Sequence, residues 1–240
     1  WAFGLAIAAL TALPAGAAGE HDVPTGDIMV IAAHPDDDVI TAAGVIAQAQ
    51  GDVTVAYITN GDRCESPSQV PSSNCPVLIP DIGTTRQNEA VAGQGILGVS
   101  EQNLVFLGYP TGFIGPVRDA NYGAIPPLAH DETYASRGIG TGPDRDWHFY
   151  NNGTHAAYTS ENMHEDFVTL IDTYRPDHIF THGRWDRHAD HRVTYFSILD
   201  AIEEIQDGEP SYDPRIHTTV VHFMRPEGVG TPAYGSWPDG

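Results

Sequence analysis

The sequence predicts an α/β fold, a Rossmann-like and mostly parallel sheet with helices on both faces. Three observations predict it. Short apolar runs of strand length alternate with helix-patterned segments. Their order over the first half is β-α-β-α-β, which calls for parallel strands joined by crossovers. The polar residues capable of chemistry gather where two of the apolar runs end, and open α/β sheets bind ligands there. With 240 residues and 41% hydrophobic content, the chain is long enough to bury one substantial core.

The elements follow in order. "DIMVIAA" (27–33) reads as a strand, and "ITAAGVIAQAQG" (40–51) as a helix stopped by Gly51. "DVTVAYITNG" (52–61) is β-branched and ends in a turn signal. "TTRQNEAVAGQGILGV" has a helical pattern with Thr84 or Thr85 as its cap, and "NLVFLGY" (103–109) is a third strand. Residues 110–160 are rich in Gly, Pro, Asn and Tyr with little periodicity, and a long irregular insertion in a compact domain is usually functional. The pattern resumes with "ENMHEDFVTLIDTYR" as helix, "PDHIFTH" (176–182) as strand, "HRVTYFSILDAIEEIQDG" as helix and "HTTVVHFM" (217–224) as strand. No element is expected over 225–240.

The first residues, "WAFGLAIAALTALPAGAAGE", are an apolar run followed by small residues, with Ala15 and Ala17 in an A-x-A arrangement. This is the pattern of a secretory signal, so residues 1–19 are expected to be a signal-peptide remnant and 20–240 a single domain. Cys64 and Cys75 flank the polar loop "CESPSQVPSSNC". A disulfide closing it contributes roughly 3 kcal/mol and persists outside a reducing cytosol, so a secreted protein is expected. The net charge of -21 comes from 32 acids against 11 bases, all arginine. So acidic a surface repels phosphate backbones and anionic head groups, which excludes nucleic acid and stable membrane insertion of the mature chain as expectations. Small neutral molecules and neutral glycans remain. No sequence feature fixes an oligomeric state.

Two clusters stand at strand exits: "HPDDD" after the first strand and "HGRWDRHADH" (182–191) after the fourth. Alone, the first also fits an Asp-rich helix N-terminus, where carboxylates cap amides and complement the dipole. The second changes the balance. His34 and Asp37 are three apart, as are His188 and His191, a spacing that puts each pair on one helix face. Two such pairs at neighbouring strand exits are poorly explained by capping. Two imidazoles and a carboxylate with an open position are the ligand set of catalytic zinc, which lowers the pKa of bound water toward about 7. One spare carboxylate, Asp36, is available to take a proton from water, and one spare histidine, His188, to face an oxyanion or protonate a leaving amine. That inventory suits amide hydrolysis. The chain contains no G-x-G-x-x-G after its first strand, no P-loop, no G-x-S-x-G and no H-E-x-x-H.

At these motifs the sequence resembles the LmbE-like, or PIG-L-type, N-acetylglucosaminyl deacetylases. "AHPDDD" is similar to the family's A-H-P-D-D-E, "TNGD" follows the second strand, "TRQNEAVAGQGILGV" resembles its R-x-x-E helix, and "RHADH" its H-x-D-H. The resemblance implies a Rossmann-like fold and zinc-dependent removal of an acyl group, usually acetyl, from an amino-sugar nitrogen, with one Zn2+ per chain. The implied zinc ligands are His34, Asp37 and His191. The implied general base is Asp36, and His188 faces the oxyanion. Asp190 is expected to orient one of the histidines of its own motif from behind, Arg86 to bind substrate or serve in a structural ion pair, and Glu89 to bind substrate or, equally, to brace the loop. The expected partner is a small amino-sugar glycoside or glycan.

Three departures stand out. Asp38 replaces the family's usual Glu, shortening a carboxylate expected behind the metal ligands. Thr111 stands where many members carry an acidic sugar contact. The cysteine loop and the 110–160 insertion lie outside the minimal pattern and are expected to line or cover the pocket; the insertion carries Tyr122, His130, Trp147, His148 and His155, each more readily explained by packing or surface than by sugar contact. The competing readings are another metal-dependent amidohydrolase on the same site and a catalytically silent sugar-binding module.

Overall fold

The computed structural model describes residues 24–49, 51–63, 80–119 and 131–222. The signal-like start of the chain, Cys64, Cys75, Tyr122 and His130 lie outside the described residues. Strands β1 (Ile28–Ala32), β2 (Val53–Thr59), β3 (Leu104–Tyr109), β4 (His178–His182) and β5 (Arg215–Thr219) form a five-stranded sheet in the order β3-β2-β1-β4-β5. All four pairings are parallel.

The inner strands read as unbroken apolar runs because successive side chains point to opposite faces and both faces are covered. Ile28, Val30, Val55, Tyr57 and Phe106 pack with residues of α1 (Asp37–Ile46) and α2 (Pro80–Ile96). Met29, Ile31, Ile58 and Leu107 pack on the other face with α3 (Ile114–Arg118), α4 (Trp147–Asn152), α5 (Ser160–Tyr174) and α6 (Ala189–Gly208). No helix among the described residues is long and apolar enough to cross a membrane.

The chain lays β2 and β3 to one side of β1, then crosses back to place β4 on the other side. The strand order therefore reverses between β1 and β4, opening a crevice at their carboxyl ends. Both histidine–aspartate clusters leave the sheet there.

Element edges differ from expectation in ways that have physical causes. Helix α1 starts at Asp37, not Ile40, so Asp37 and Asp38 occupy its first turn and complement the dipole. It ends at Ile46, before Gly51. Gly51 serves a close backbone approach instead, since a Cβ there would lie 2.1 Å from the Gly26 carbonyl oxygen. Helix α2 begins at Pro80, so Thr84 and Thr85 lie inside it, and the Thr85 hydroxyl donates to the Asp81 carbonyl. Strand β5 is an edge strand that starts at Arg215 and stops at Thr219; the apolar Val220 and Val221 beyond it belong to a loop. The insertion is largely irregular but contains α3 and α4, and Trp147 is fully buried in the core.

Candidate metal centre

The β1 exit folds back on itself. The amides of Asp36 and Asp37 donate to the His34 carbonyl, and the His34 amide donates to Asp37 Oδ2 at 3.0 Å. This tight turn brings His34 Nδ1 to 2.9 Å from Asp37 Oδ2. From the β4 side, His188 caps α6 and its first turn carries His191 toward β1. His191 Nε2 lies 3.3 Å from His34 Nδ1 and 3.1 Å from Asp37 Oδ2. All three side chains are buried.

The outer nitrogens of the two imidazoles determine what the inner ones offer. His34 Nε2 donates to Asp190 Oδ2 at 3.1 Å, and His191 Nδ1 faces Asp186 Oδ2 at 3.1 Å. A carboxylate only accepts, so the proton of each neutral ring sits on its outer nitrogen. The inner nitrogens and Asp37 Oδ2 are then three lone-pair atoms aimed at one another. Ligands bound at about 2.0–2.1 Å in tetrahedral array stand roughly 3.3 Å apart, close to this triangle. The donor set fits a small divalent cation, and a carboxylate behind each histidine is the usual support for such ligands.

Without a cation, a proton takes its place. Burial opposes charge on His34, yet its hydrogen bonds to Asp190 and Asp37 outweigh burial and hold it up at about 10. Burial likewise opposes charge on Asp37, but His191 and His34 keep its carboxyl well below the ordinary range. Ligands must shed their protons to hold a metal, so a cation at this triangle displaces the proton that His34 otherwise keeps.

The remaining expected residues have distinct surroundings. Asp36 is exposed, and its carboxylate pairs with Arg86. His188 is half-buried, edge-on to His34 with centroids 4.7 Å apart and 4.8 Å from His191. Its Nδ1 accepts the Asp190 amide at 3.2 Å, which leaves the proton on Nε2. Burial, then the neighbouring His34, push its pKa down and keep it neutral. Asp190 braces His34, the histidine of the other motif, and also accepts the Gly112 amide at 2.6 Å. Asp38 is buried away from the triangle, where Tyr57 donates to it at 2.9 Å and Gln94 also donates. Burial raises its pKa. Thr111 is buried too, its hydroxyl donating to Asp62 at 2.6 Å. Glu89 is exposed.

Three residues of the centre were not singled out from the sequence. Asp186 holds the His191 ring and accepts the Val221 and His222 amides at 2.7 and 3.1 Å, which draws the chain after β5 into a loop. His182 stacks on His191 at 3.8 Å, and its Nε2 accepts the Ala33 amide at 2.9 Å. Ligand atoms of Asp37, His182 and His191 come within 4.8 Å of one another, as do those of His34, His188 and His191. His182 nonetheless reads as a wall, because the nitrogen nearest Asp37 is already engaged. The His222 ring lies 5.0 Å from His191. Their available signal was position: all three stand at strand exits.

Comparison with known proteins adds independent findings. The PIG-L family, described as GlcNAc-PI de-N-acetylase, matches residues 29–202. A 1D-myo-inositol 2-acetamido-2-deoxy-alpha-D-glucopyranoside deacetylase of Nakamurella multipartita is 30% identical over 130 residues, 52% of this chain and 41% of the relative. The chain therefore spans less than half the length of that relative. Among solved structures, N,N'-diacetylchitobiose deacetylase from Pyrococcus horikoshii is similar at 17% identity and TM-score 0.46, over 78% of this chain and 52% of the other. The 4-carboxy-2-hydroxymuconate hydratase of Pseudomonas putida is similar at 19% identity and TM-score 0.46, over 78% and 59%. The family match spans both histidine–aspartate motifs and four of the five strands, and the chain belongs to the PIG-L, or LmbE-like, family of metal-dependent de-N-acetylases.

Proposed function

We propose that the protein is a zinc-dependent deacetylase that removes the N-acetyl group from an amino sugar in a GlcNAc-containing glycoside or glycan, with His34, Asp37 and His191 holding one zinc ion. The carrying observation is the triangle of lone-pair atoms, 2.9, 3.1 and 3.3 Å apart, backed by Asp190 and Asp186. Two nitrogens and one oxygen suit zinc, which when bound supplies a Lewis acid and lowers the pKa of water toward about 7.

The chain's own residues supply the rest. Asp36 is the carboxylate of this cluster that is open to solvent, and it takes the proton of the attacking water. His188 presents Nε2–H to the oxygen of the carbonyl as charge develops there. The proton that Asp36 has taken passes to the departing amine, which completes the amide cleavage and returns Asp36 to its carboxylate form. The acidic surface favours a neutral glycan over a polyanion. An extracytoplasmic location belongs to the same proposal, supported by the signal-like start and the cysteine pair; thiol titration of the purified protein finding both cysteines oxidised is the expected result.

The test is metal analysis of the purified protein together with acetate release across N-acetylated amino-sugar glycosides. Stoichiometric zinc and acetate release are expected. Asp36→Asn keeps the zinc and loses turnover by roughly 10²- to 10⁴-fold. Near-normal turnover in that variant removes the base assignment. Release of acid only from other amides points to a different amidohydrolase, and tight sugar binding without turnover to a silent binding module.

A further inference from the structure

Asp36 stands at the N-cap of α1, yet its side chain caps nothing. The ordinary reason for an aspartate there is absent. Its carboxylate is 59% exposed, so by itself it samples several rotamers. Among the described residues its ion-pair partner is Arg86, with Nη2 2.8 Å from Asp36 Oδ1.

Arg86 is itself anchored to the frame that carries the metal ligands. Its Nη1 donates to the Gly61 carbonyl at 3.1 Å. Gly61 has φ of +64°, and a Cβ there would lie 2.2 Å from Arg86 Nη1, so the "TNGD" turn needs glycine to admit the guanidinium. The Gly61 amide in turn donates to Thr59 Oγ1 at 3.3 Å, and the Thr59 hydroxyl and amide donate to the Ala33 carbonyl at 2.9 and 3.0 Å. Ala33 directly precedes His34. A continuous path of hydrogen bonds thus runs from the β1 exit through the β2 exit to Arg86, and back to Asp36.

We infer that Arg86 is a positioning residue for the base: it holds the Asp36 carboxylate in one orientation relative to the metal triangle, and Gly61 is the glycine that makes room for it. The inference rests on the reading of Asp36 as the base. It differs from the expectation of a substrate contact at Arg86, because Nη2 is directed at Asp36 and Nη1 at the Gly61 carbonyl. An ion pair this exposed contributes little to stability, so its effect belongs in turnover.

The experiment measures kcat and KM for acetate release, with Tm alongside, in Arg86→Gln, Arg86→Lys, Gly61→Ala and the Gly61→Ala/Arg86→Gln double variant. Arg86→Gln is expected to lower kcat roughly 10- to 100-fold with KM changed less than about twofold. Arg86→Lys recovers part of the loss, since a point charge restores the pair without the fork. Gly61→Ala reproduces the kcat defect without altering a charge, and the double variant is no worse than Arg86→Gln alone. A raised KM with unchanged kcat, additive losses in the double variant, or no change in either constant overturns the inference. The pair also has a readout that needs no turnover: side-chain ¹⁵N NMR should show restricted rotation of the Arg86 guanidinium that is lost in Asp36→Asn. A wild type without acetate release but with that signal fails the deacetylase reading while retaining the clamp; a freely rotating Arg86 in the wild type overturns the clamp itself.

Discussion

The protein contains two buried clusters made from the same parts, and they do different things. In the metal centre, His34 and His191 each lean on a carboxylate, Asp190 and Asp186. In the insertion, His148 Nδ1 lies 2.8 Å from Asp166, and His155 Nδ1 2.6 Å from Asp146. The difference is in what remains after those pairs form. Asp166 also accepts the Tyr109 hydroxyl at 2.7 Å, and Asp146 accepts the Thr133 hydroxyl at 2.8 Å and the Phe149 amide at 3.1 Å. Each acceptor there has a donor. In the metal centre, neutral His34 and His191 rings together with Asp37 leave three acceptors facing one another, and among the described residues the buried Asp190 Oδ1 has no hydrogen-bond partner. A saturated network cements a fold, whereas converging lone pairs call for a cation.

The comparison breaks most sharply at His191. His191→Ala is expected to lose stoichiometric zinc and the rise in Tm that added zinc gives the wild type, because binding to the folded state alone stabilises it. His148→Ala should keep both. Zinc retained in His191→Ala, measured by elemental analysis, dissolves the distinction.

A smaller effect separates the carboxylates. Asp190→Asn weakens zinc affinity roughly 10- to 100-fold in chelator competition, since it loosens the His34 ring without removing a ligand. Asp166→Ala leaves that affinity unchanged and costs about 1–3 kcal/mol of stability by denaturant melt, the penalty for stripping buried donors of their acceptor. Equal zinc affinities in wild type and Asp190→Asn contradict the bracing role.

The smallest effect is a pH slope. Burial raises Asp166 from 3.8 to about 6, against the opposing hydrogen bonds of Tyr109 and His148. A carboxyl that holds its proton more tightly when folded loses stability as pH rises, here from about 4 to about 6. Asp166→Asn lacks that slope. The stability of wild type relative to Asp166→Asn should therefore fall across that window and level off above it. A difference that stays constant or grows with pH contradicts the buried carboxyl.

Much of this was legible in the chain. The alternation of strand and helix patterns predicts the parallel sheet, because covered strands must be apolar on both faces. The paired spacings His34/Asp37 and His188/His191 single out the two strand exits that β1 and β4 bring together. Edges were less legible. Helix α2 starts at Pro80, a residue at home in a first turn, and β5 ends at Thr219, beyond which Asp186 captures the Val221 and His222 amides, a contact that no local pattern records.

The sequence by itself determined the order of elements, the sheet type and the chemical inventory of the two motifs, since these follow from short-range periodicity and residue type. Only the tertiary structure decided the partners. The three neighbouring aspartates part company by what reaches them from elsewhere: Asp36 meets Arg86, Asp37 meets His191, and Asp38 meets Tyr57 and Gln94. Asp190 serves His34 across the switch point, and Asp186, unmarked in the chain, holds His191. The physical reason is range. A hydrogen bond is fixed within about 3 Å, and which distant residues come that close is set by the crossover that lays β4 beside β1.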